Sequence, residues 1–145
     1  MDIRALDDVA LADDALMREF YDLGRRSELH GREHAPFWSF SEFLGAYRSP
    51  DSGERQQLFA AYDDDRMVAH ATLWTFLLDN TDKAFFDLSV DLSDRRRGIG
   101  RAMVERLEQV VKDDGRSLVM SASHLPYEGR DDHPYRRFAK DCFRR

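Results

Sequence analysis

The chain has 145 residues, with 22 basic against 28 acidic side chains for a net charge of −6, and 42% of it is hydrophobic. That length suits one compact domain with a self-sufficient core, and a lone cysteine, Cys142, excludes an internal disulfide framework and fits a reducing, cytoplasmic setting. Acidic residues at positions 2, 7, 8, 13 and 14 exclude a secretory h-region, and no apolar run is long enough to span a bilayer, so no membrane partner is expected.

Asp2 to Leu6 reads as a short edge strand. From Asp13 or Asp14 as N-cap, Leu16, Phe20 and Leu23 follow helical spacing, and the helix should stop near Gly31, with Pro36 forbidding continuation. A second helix is predicted from about Ser39 to Tyr47. Gln57 to Tyr62 and Met67 to Leu78 are rich in strand formers, with Asp63 to Arg66 as the hairpin turn between them. Ala84 to Val90 alternates as a strand. Ile99 to Asp114 carries an amphipathic stripe through Met103, Leu107, Val110 and Val111, with Gly115 as its stop and Arg101–Glu105 and Glu108–Lys112 as outward i,i+4 pairs. Leu118 to Ala122 is a short apolar strand, a polar loop runs from His124 to Asp132, and Pro134 to Asp141 forms a last helix. The order βααβββαβα describes one mixed α+β domain over residues 1–145.

Charge is unevenly spread. Residues 1–94 carry −11 and residues 95–145 carry +5, with Arg95, Arg96, Arg97 and Arg101 packed within seven positions. A mainly acidic surface excludes broad nucleic-acid binding. One focused basic spot suits a small, multiply charged anion.

That spot lies in Val90-Asp-Leu-Ser-Asp-Arg95-Arg-Arg-Gly98-Ile-Gly100-Arg-Ala-Met103, where a strand ends, a basic turn with two glycines follows, and an amphipathic helix begins. The first N–H groups of a helix lack internal partners and carry part of a positive charge, and glycine lets an anion approach them. The sequence thus builds a diphosphate cradle from main chain, reinforced by guanidinium groups. No Lys-Ser/Thr follows the glycines as a P-loop requires. Met103 stands where a dinucleotide fingerprint needs a third glycine, and residues 116–122 offer no ribose-binding acid.

The pattern Arg95-x-x-Gly98-x-Gly100 at a strand-to-helix turn resembles the acyl-CoA signature of the GNAT superfamily of N-acetyltransferases, and the surrounding element order resembles it too. The Arg-rich turn and His133-Pro-Tyr-Arg-Arg-Phe138 resemble tandem, mycothiol-synthase-like members. The resemblance implies a mostly antiparallel sheet flanked by helices, with a parallel pair splayed at the cofactor site. It implies acetyl-CoA, or another short acyl-CoA, held by main chain at Leu88, Ser89 and Val90 and by the turn from Arg95 through Arg96, Arg97, Gly98, Ile99 and Gly100 to Arg101. Direct transfer to a small-molecule amine then needs a base and an acid. The family's Tyr on the last helix aligns with Phe138, which leaves Tyr135 one turn earlier as the stand-in. The family's Glu aligns near Ala84, which leaves Asp87 as the nearest carboxylate, with a solvent-facing role competing. Glu33, His34, Phe37 and Trp38 are acceptor candidates, facing His124 and Tyr127, though Phe37 and Trp38 could equally anchor the second helix.

Members follow the last helix with Gly-Phe and a β-hairpin, where this sequence has Cys142-Phe-Arg-Arg145. The expectation is a domain incomplete at its C-terminus. It would be a fragment of a tandem protein, a degenerate member, or a chain whose sheet is completed by a second GNAT domain or a second copy. His30-Gly-Arg-Glu-His34 has inverted zinc-peptidase spacing, but Gly31 and Pro36 deny it one helical face, and no metal site is expected. His70, in an apolar strand, reads as a hydrogen-bonded sheet residue. Cys142, Ser121 and Ser123 lack nucleophile context. An acetyl-CoA-dependent N-acetyltransferase is the leading reading; a non-catalytic acyl-CoA-binding or interaction domain, and more remotely a nucleotide-binding module, are its alternatives.

Overall fold

The computed structural model describes residues 1–125 and 128–143. Five strands form one sheet in sequence order: β1 (Asp2–Leu6), β2 (Glu54–Asp63), β3 (Arg66–Phe76), β4 (Lys83–Val90) and β5 (Leu118–Ser121). All neighbours are antiparallel except β4 and β5, which run parallel. The hairpin between β2 and β3 turns at Asp64, whose φ is 53°, and a register shift between Ala61 and Tyr62 bends β2.

Helices cover both faces: α1 (Asp8–Ala12), α2 (Asp14–Leu29), α3 (Phe40–Arg48), α4 (Ile99–Asp113) and α5 (Pro134–Phe143). Helix α1 was missed in the sequence because five residues show no period; Asp7 caps it by accepting from Ala10 N. Asp13 caps α2, and Ser39 with Glu42 forms a reciprocal capping box on α3. Gly115, at φ 72°, ends α4 by an Arg116 N–H bond of 3.1 Å to the Val111 carbonyl. The Arg116 guanidinium then donates to the carbonyls of Phe76, Thr81 and Lys83 at 2.9, 2.8 and 3.1 Å, fixing the β3–β4 connection.

The strand period of two divides the core. Ala71, Leu73, Ala84 and Phe86 pack against Met103, Leu107 and Val111 of α4 and Cys142 of α5. On the other face Leu58, Ala60 and Met67 pack against Met17, Phe20 and Leu23 of α2 and Phe43 of α3. Burying each of the Leu, Met, Val and Phe side chains is worth about 2 kcal/mol. Among the described residues no helix is long and apolar enough to cross a membrane.

Candidate functional site

Strand β4 outruns its parallel partner. Pairing with β5 ends at Phe86 opposite Ser121, while β4 continues to Val90. Asp91 N donates to the Val68 carbonyl at 2.9 Å, and hydrogen-bonded pairs alternate along an antiparallel ladder. Asp87 and Ser89 therefore direct their main-chain groups to β3, and Leu88 and Val90 direct theirs to the open edge. Two bonds mark that direction: Ser121 Oγ donates to the Phe86 carbonyl at 2.7 Å, and Arg95 Nε to the Val90 carbonyl at 3.3 Å. Leu88 and Val90 thus lie beyond the last β4–β5 pair with their main chain on the open edge. Ser89 does not share it: its main chain belongs to the β3 ladder.

The chain then makes a short 3-10 turn, Leu92–Asp94, and enters α4 through Gly98. Gly98 adopts φ 81° and a Cβ there would meet nothing within 4 Å, so this glycine answers to a left-handed turn beside open space. No side chain caps α4, and no acidic residue lies in its first turn. The N–H groups of Ile99, Gly100 and Arg101 consequently form a bare, partly positive helix end beside Val90. Arg96, at φ 66°, and Arg101 are exposed around it. This chemistry fits the diphosphate and pantetheine of an acyl-CoA.

Gly100 has a different reason from the one its motif suggests. A Cβ there would come within 2.9 Å of the Phe138 ring and 3.6 Å of Val90 Cγ2, so the glycine first serves helix packing. Two guanidinium groups expected at the anion are also engaged elsewhere. Arg97 bonds Asp94 at 2.7 Å and Asp63 at 3.0 Å. Arg95 reaches Ser27 Oγ at 3.0 Å and the Tyr135 hydroxyl at 3.3 Å, tying the turn to α2 and α5.

Asp94 is the residue the sequence reading passed over. Its side chain is 3% exposed and takes Arg66 bidentately at 2.6 and 2.8 Å as well as Arg97. The Arg66 hydrogen bonds above all hold its carboxyl below the ordinary carboxylate range. A solitary acid beside three arginines was the available signal, but Arg66 lies 28 positions away.

The α2/α3 face of β4 carries the other candidates. Asp87 is open to solvent, yet the surrounding walls and then the Glu28 carboxylate raise its carboxyl above the usual range, with His124 opposing. His124 Nε2 lies 3.9 Å from Glu28, itself paired with Arg32 at 3.1 Å. Opposite Asp87 across the ladder, Thr72 Oγ1 meets the Tyr47 hydroxyl at 2.9 Å, and burial pushes Tyr47 up to about 12. Glu28, Tyr47 and Thr72 were missed because three separate elements bring them to Asp87.

The acceptor candidates from the α2–α3 loop have other engagements. Glu33 accepts from its neighbour Gly31 N at 3.2 Å. Phe37 lies 5.6 Å from the Tyr21 ring, and the Tyr21 hydroxyl donates to the Trp38 main-chain carbonyl, which ties the loop to α2 and leaves Trp38 itself exposed. His34 is exposed. Tyr127 lies outside the described residues. Helix α2 ends at Leu29, and His30 and His34 therefore share no helical face. His70 departs from expectation: it stacks on Phe20 at 3.7 Å, with neither ring nitrogen bonded among the described residues, and burial pushes it down to about 3.

A profile of the acetyltransferase (GNAT) family matches residues 17–136, which spans the splay, the turn and α4. This chain belongs to the GNAT family. Members use acyl-CoA donors. The [ribosomal protein bS18]-alanine N-acetyltransferase of Salmonella typhimurium is 35% identical over 94 residues, which make up 65% of this chain and 58% of that protein, so the match spans well under two-thirds of its length. Among solved structures, a tandem GNAT protein from the clavulanic acid biosynthesis pathway aligns with TM-score 0.74 and 23% identity over 97% of this chain and 43% of its own. An aminoglycoside acetyltransferase from an uncultured soil metagenomic sample, in complex with sisomicin, aligns with TM-score 0.68 and 17% identity over 98% of this GNAT chain and 86% of its own. At those identities the structural likeness speaks to the fold.

Proposed function

We propose that this GNAT chain is an N-acetyltransferase that moves an acetyl group from acetyl-CoA to a small-molecule amine by direct attack. One observation carries the reading: the same four residues of β4, Asp87 to Val90, supply an open main-chain edge leading to an uncapped helix end, and a carboxylate on the adjoining face. The amine nitrogen forms the new bond to the acetyl carbon as the carbon–sulfur bond breaks. Leu88 and Val90 hold the donor along the edge, and the N–H groups of Ile99, Gly100 and Arg101, with the Arg96 and Arg101 side chains, hold its phosphates. Arg95 and Arg97 act through the turn they brace.

Asp87 takes the amine proton, and the Tyr135 hydroxyl, beside Arg95, is the proton source for the departing thiolate. Because the Asp87 carboxyl is raised, kcat/KM should climb with pH above the ordinary carboxylate range. The buried thiol of Cys142, the lone cysteine, suits a cytoplasmic protein. The β5 edge is where a second GNAT domain or second copy would extend the sheet.

Calorimetric titration with acetyl-CoA and ATP, followed by thiol release with an amine panel, tests the reading. We expect acetyl-CoA to bind in preference to ATP, and Asp87→Asn to lower kcat about 100-fold with acetyl-CoA affinity held within about twofold. Binding without turnover on any amine would leave a non-catalytic acyl-CoA-binding domain. Equal affinity for ATP would reject the donor assignment.

A further inference from the structure

The α2/α3 face of the sheet is not covered to its end. Helix α3 stops at Arg48, and beyond the Tyr47–Thr72 contact the next residues on that face are aromatic. Trp74 and Phe85 sit directly opposite one another on β3 and β4, their rings 6.0 Å apart and half-buried. With Phe76 and Glu54 they line a depression of about 220 Å³. Strand β5 extends this surface, because the register Phe85–Met120 and Lys83–Leu118 in a parallel pair puts Met120 and Leu118 on the same side, where they are 37% and 43% exposed. This floor is continuous with the candidate site. Phe85 and Asp87 are alternate residues of one strand, so the aromatic floor begins roughly 7 Å from the carboxylate.

At the reacting end Asp87 is faced by the Glu28 carboxylate, with the His124 ring opposing it. Asp87 and Glu28 attract a cation, and Glu54 closes the far rim. The cations nearby are occupied: Arg32 with Glu28, and Lys83 with Asn80 Oδ1 at 3.0 Å. A ligand whose ammonium lies by Asp87 would lay the atoms behind it on Phe85 and Trp74. Those rings attract hydrocarbon and cannot satisfy a row of hydroxyl groups.

From this juxtaposition we infer that the acceptor is a primary amine borne on an apolar body about one ring in size, seated on Trp74, Phe85 and Met120 with its nitrogen at Asp87. The inference rests on the N-acetyltransferase reading for its chemistry. The balance is simple: the bound ammonium loses one proton through Asp87 to solvent, the neutral amine forms the amide bond as the carbon–sulfur bond breaks, and the second proton shed by nitrogen balances the one the departing thiolate takes up. A polyhydroxylated amine would leave its hydroxyl groups stranded on this floor, a polycationic one would find a carboxylate beyond it only at Glu54, and a peptide N-terminus would bring backbone amides to it.

The test compares benzylamine, n-hexylamine, ethylamine, glucosamine, spermidine and an Ala-led tripeptide, by thiol release and by calorimetric binding to the CoA-loaded full chain. Benzylamine or hexylamine should exceed glucosamine, spermidine and the tripeptide at least tenfold in kcat/KM. Trp74→Leu should lower the benzylamine-to-ethylamine ratio of kcat/KM about tenfold, and the milder surface change Met120→Asn should lower it in the same direction if Trp74→Leu does not fold. Preference for glucosamine, spermidine or the tripeptide, an unchanged ratio in the folded variants, or no benzylamine binding to the CoA-loaded chain would overturn the inference. Benzylamine binding that Trp74→Leu or Met120→Asn weakens, with no turnover on any amine, would instead overturn the transferase reading and keep the binding site.

Discussion

At the edge of β4, the donor half of the proposed site presents main-chain groups: the flank of Leu88 and Val90 beyond the last β5 pair, and the bare N–H groups of α4 behind Gly98. On the face of the same strand, the acceptor half presents side chains: Asp87, with Glu28, His124 and the Tyr47–Thr72 pair around it and the Trp74–Phe85 floor beyond. The two halves also rest on different supports. The donor turn is braced by an ionised carboxylate, Asp94, between two arginines, whereas the sheet under the acceptor face is packed around a neutral histidine, His70, stacked on Phe20. A main-chain site is sensitive to backbone conformation and to whatever fixes it; a side-chain site is sensitive to identity and protonation.

Acid should separate the two supports, and with the largest effect. His70 is depressed to about 3 in the fold, against about 6.5 unfolded. Below pH 6.5 only the unfolded chain takes up that proton, so stability falls with pH by about 1.4 kcal/mol per unit until the folded pKa is reached. Asp94, lowered in the fold, contributes above its unfolded pKa of about 3.9 and loses that contribution only below it. Unfolding free energies from urea titration at pH 6.5 and 4.5 should differ by roughly 2 kcal/mol in the parent, and by much less in His70→Leu. Parallel losses in both would remove His70 as the acid-labile support.

Asp94→Asn strikes the other side. Losing the charged hydrogen bonds to Arg66 and Arg97 should cost about 2 kcal/mol, and calorimetry should read at least tenfold weaker CoA binding because the turn is no longer clamped. Unweakened CoA binding in a folded, destabilised variant would show that the clamp serves stability alone.

The two glycines sharpen the comparison within the donor half. Gly98→Ala forces a β-carbon into a left-handed turn, at about 1 kcal/mol, and puts a methyl group into the anion space. Gly100→Ala meets Phe138 at 2.9 Å. In a double-mutant cycle Phe138→Ala should restore CoA affinity to Gly100→Ala and do nothing for Gly98→Ala. Equal rescue of both would merge their roles. The smallest effect belongs to the capping box of α3, remote from the donor edge: Ser39→Ala should lower stability by about 1 kcal/mol and leave CoA affinity within about twofold. A larger change in affinity would mean that the halves are coupled.

Much of the donor half was legible from residues 84–122, because a strand, two glycines and an amphipathic helix in succession need no distant partner to be recognised. The correction there concerns side chains. Arg95 and Arg97 looked free in a basic run, and they are hydrogen-bonded because Asp63, Ser27 and Tyr135 arrive from other elements and Asp94 lies in the same turn. On the proposed acceptor side Asp87 could be named from the strand alone, while the contacts of Glu33, Phe37 and the Trp38 carbonyl with Gly31 and Tyr21 came only with the fold of the α2–α3 loop. Trp74 and Phe85 could be set on one face only once the β3–β4 register was known.

The sequence by itself determined the order of the elements other than α1 and the strand–turn–helix passage through Gly98, since capping, periodicity and glycine conformation act within a few residues. Only the tertiary structure decided which arginines remain at the cradle, why Gly100 must be glycine, and what surrounds Asp87. Those outcomes depend on antiparallel register and on α2 and α5 docking against β4, which bring together residues as far apart as Arg95 and Ser27, 68 positions distant, and no local pattern encodes such a meeting.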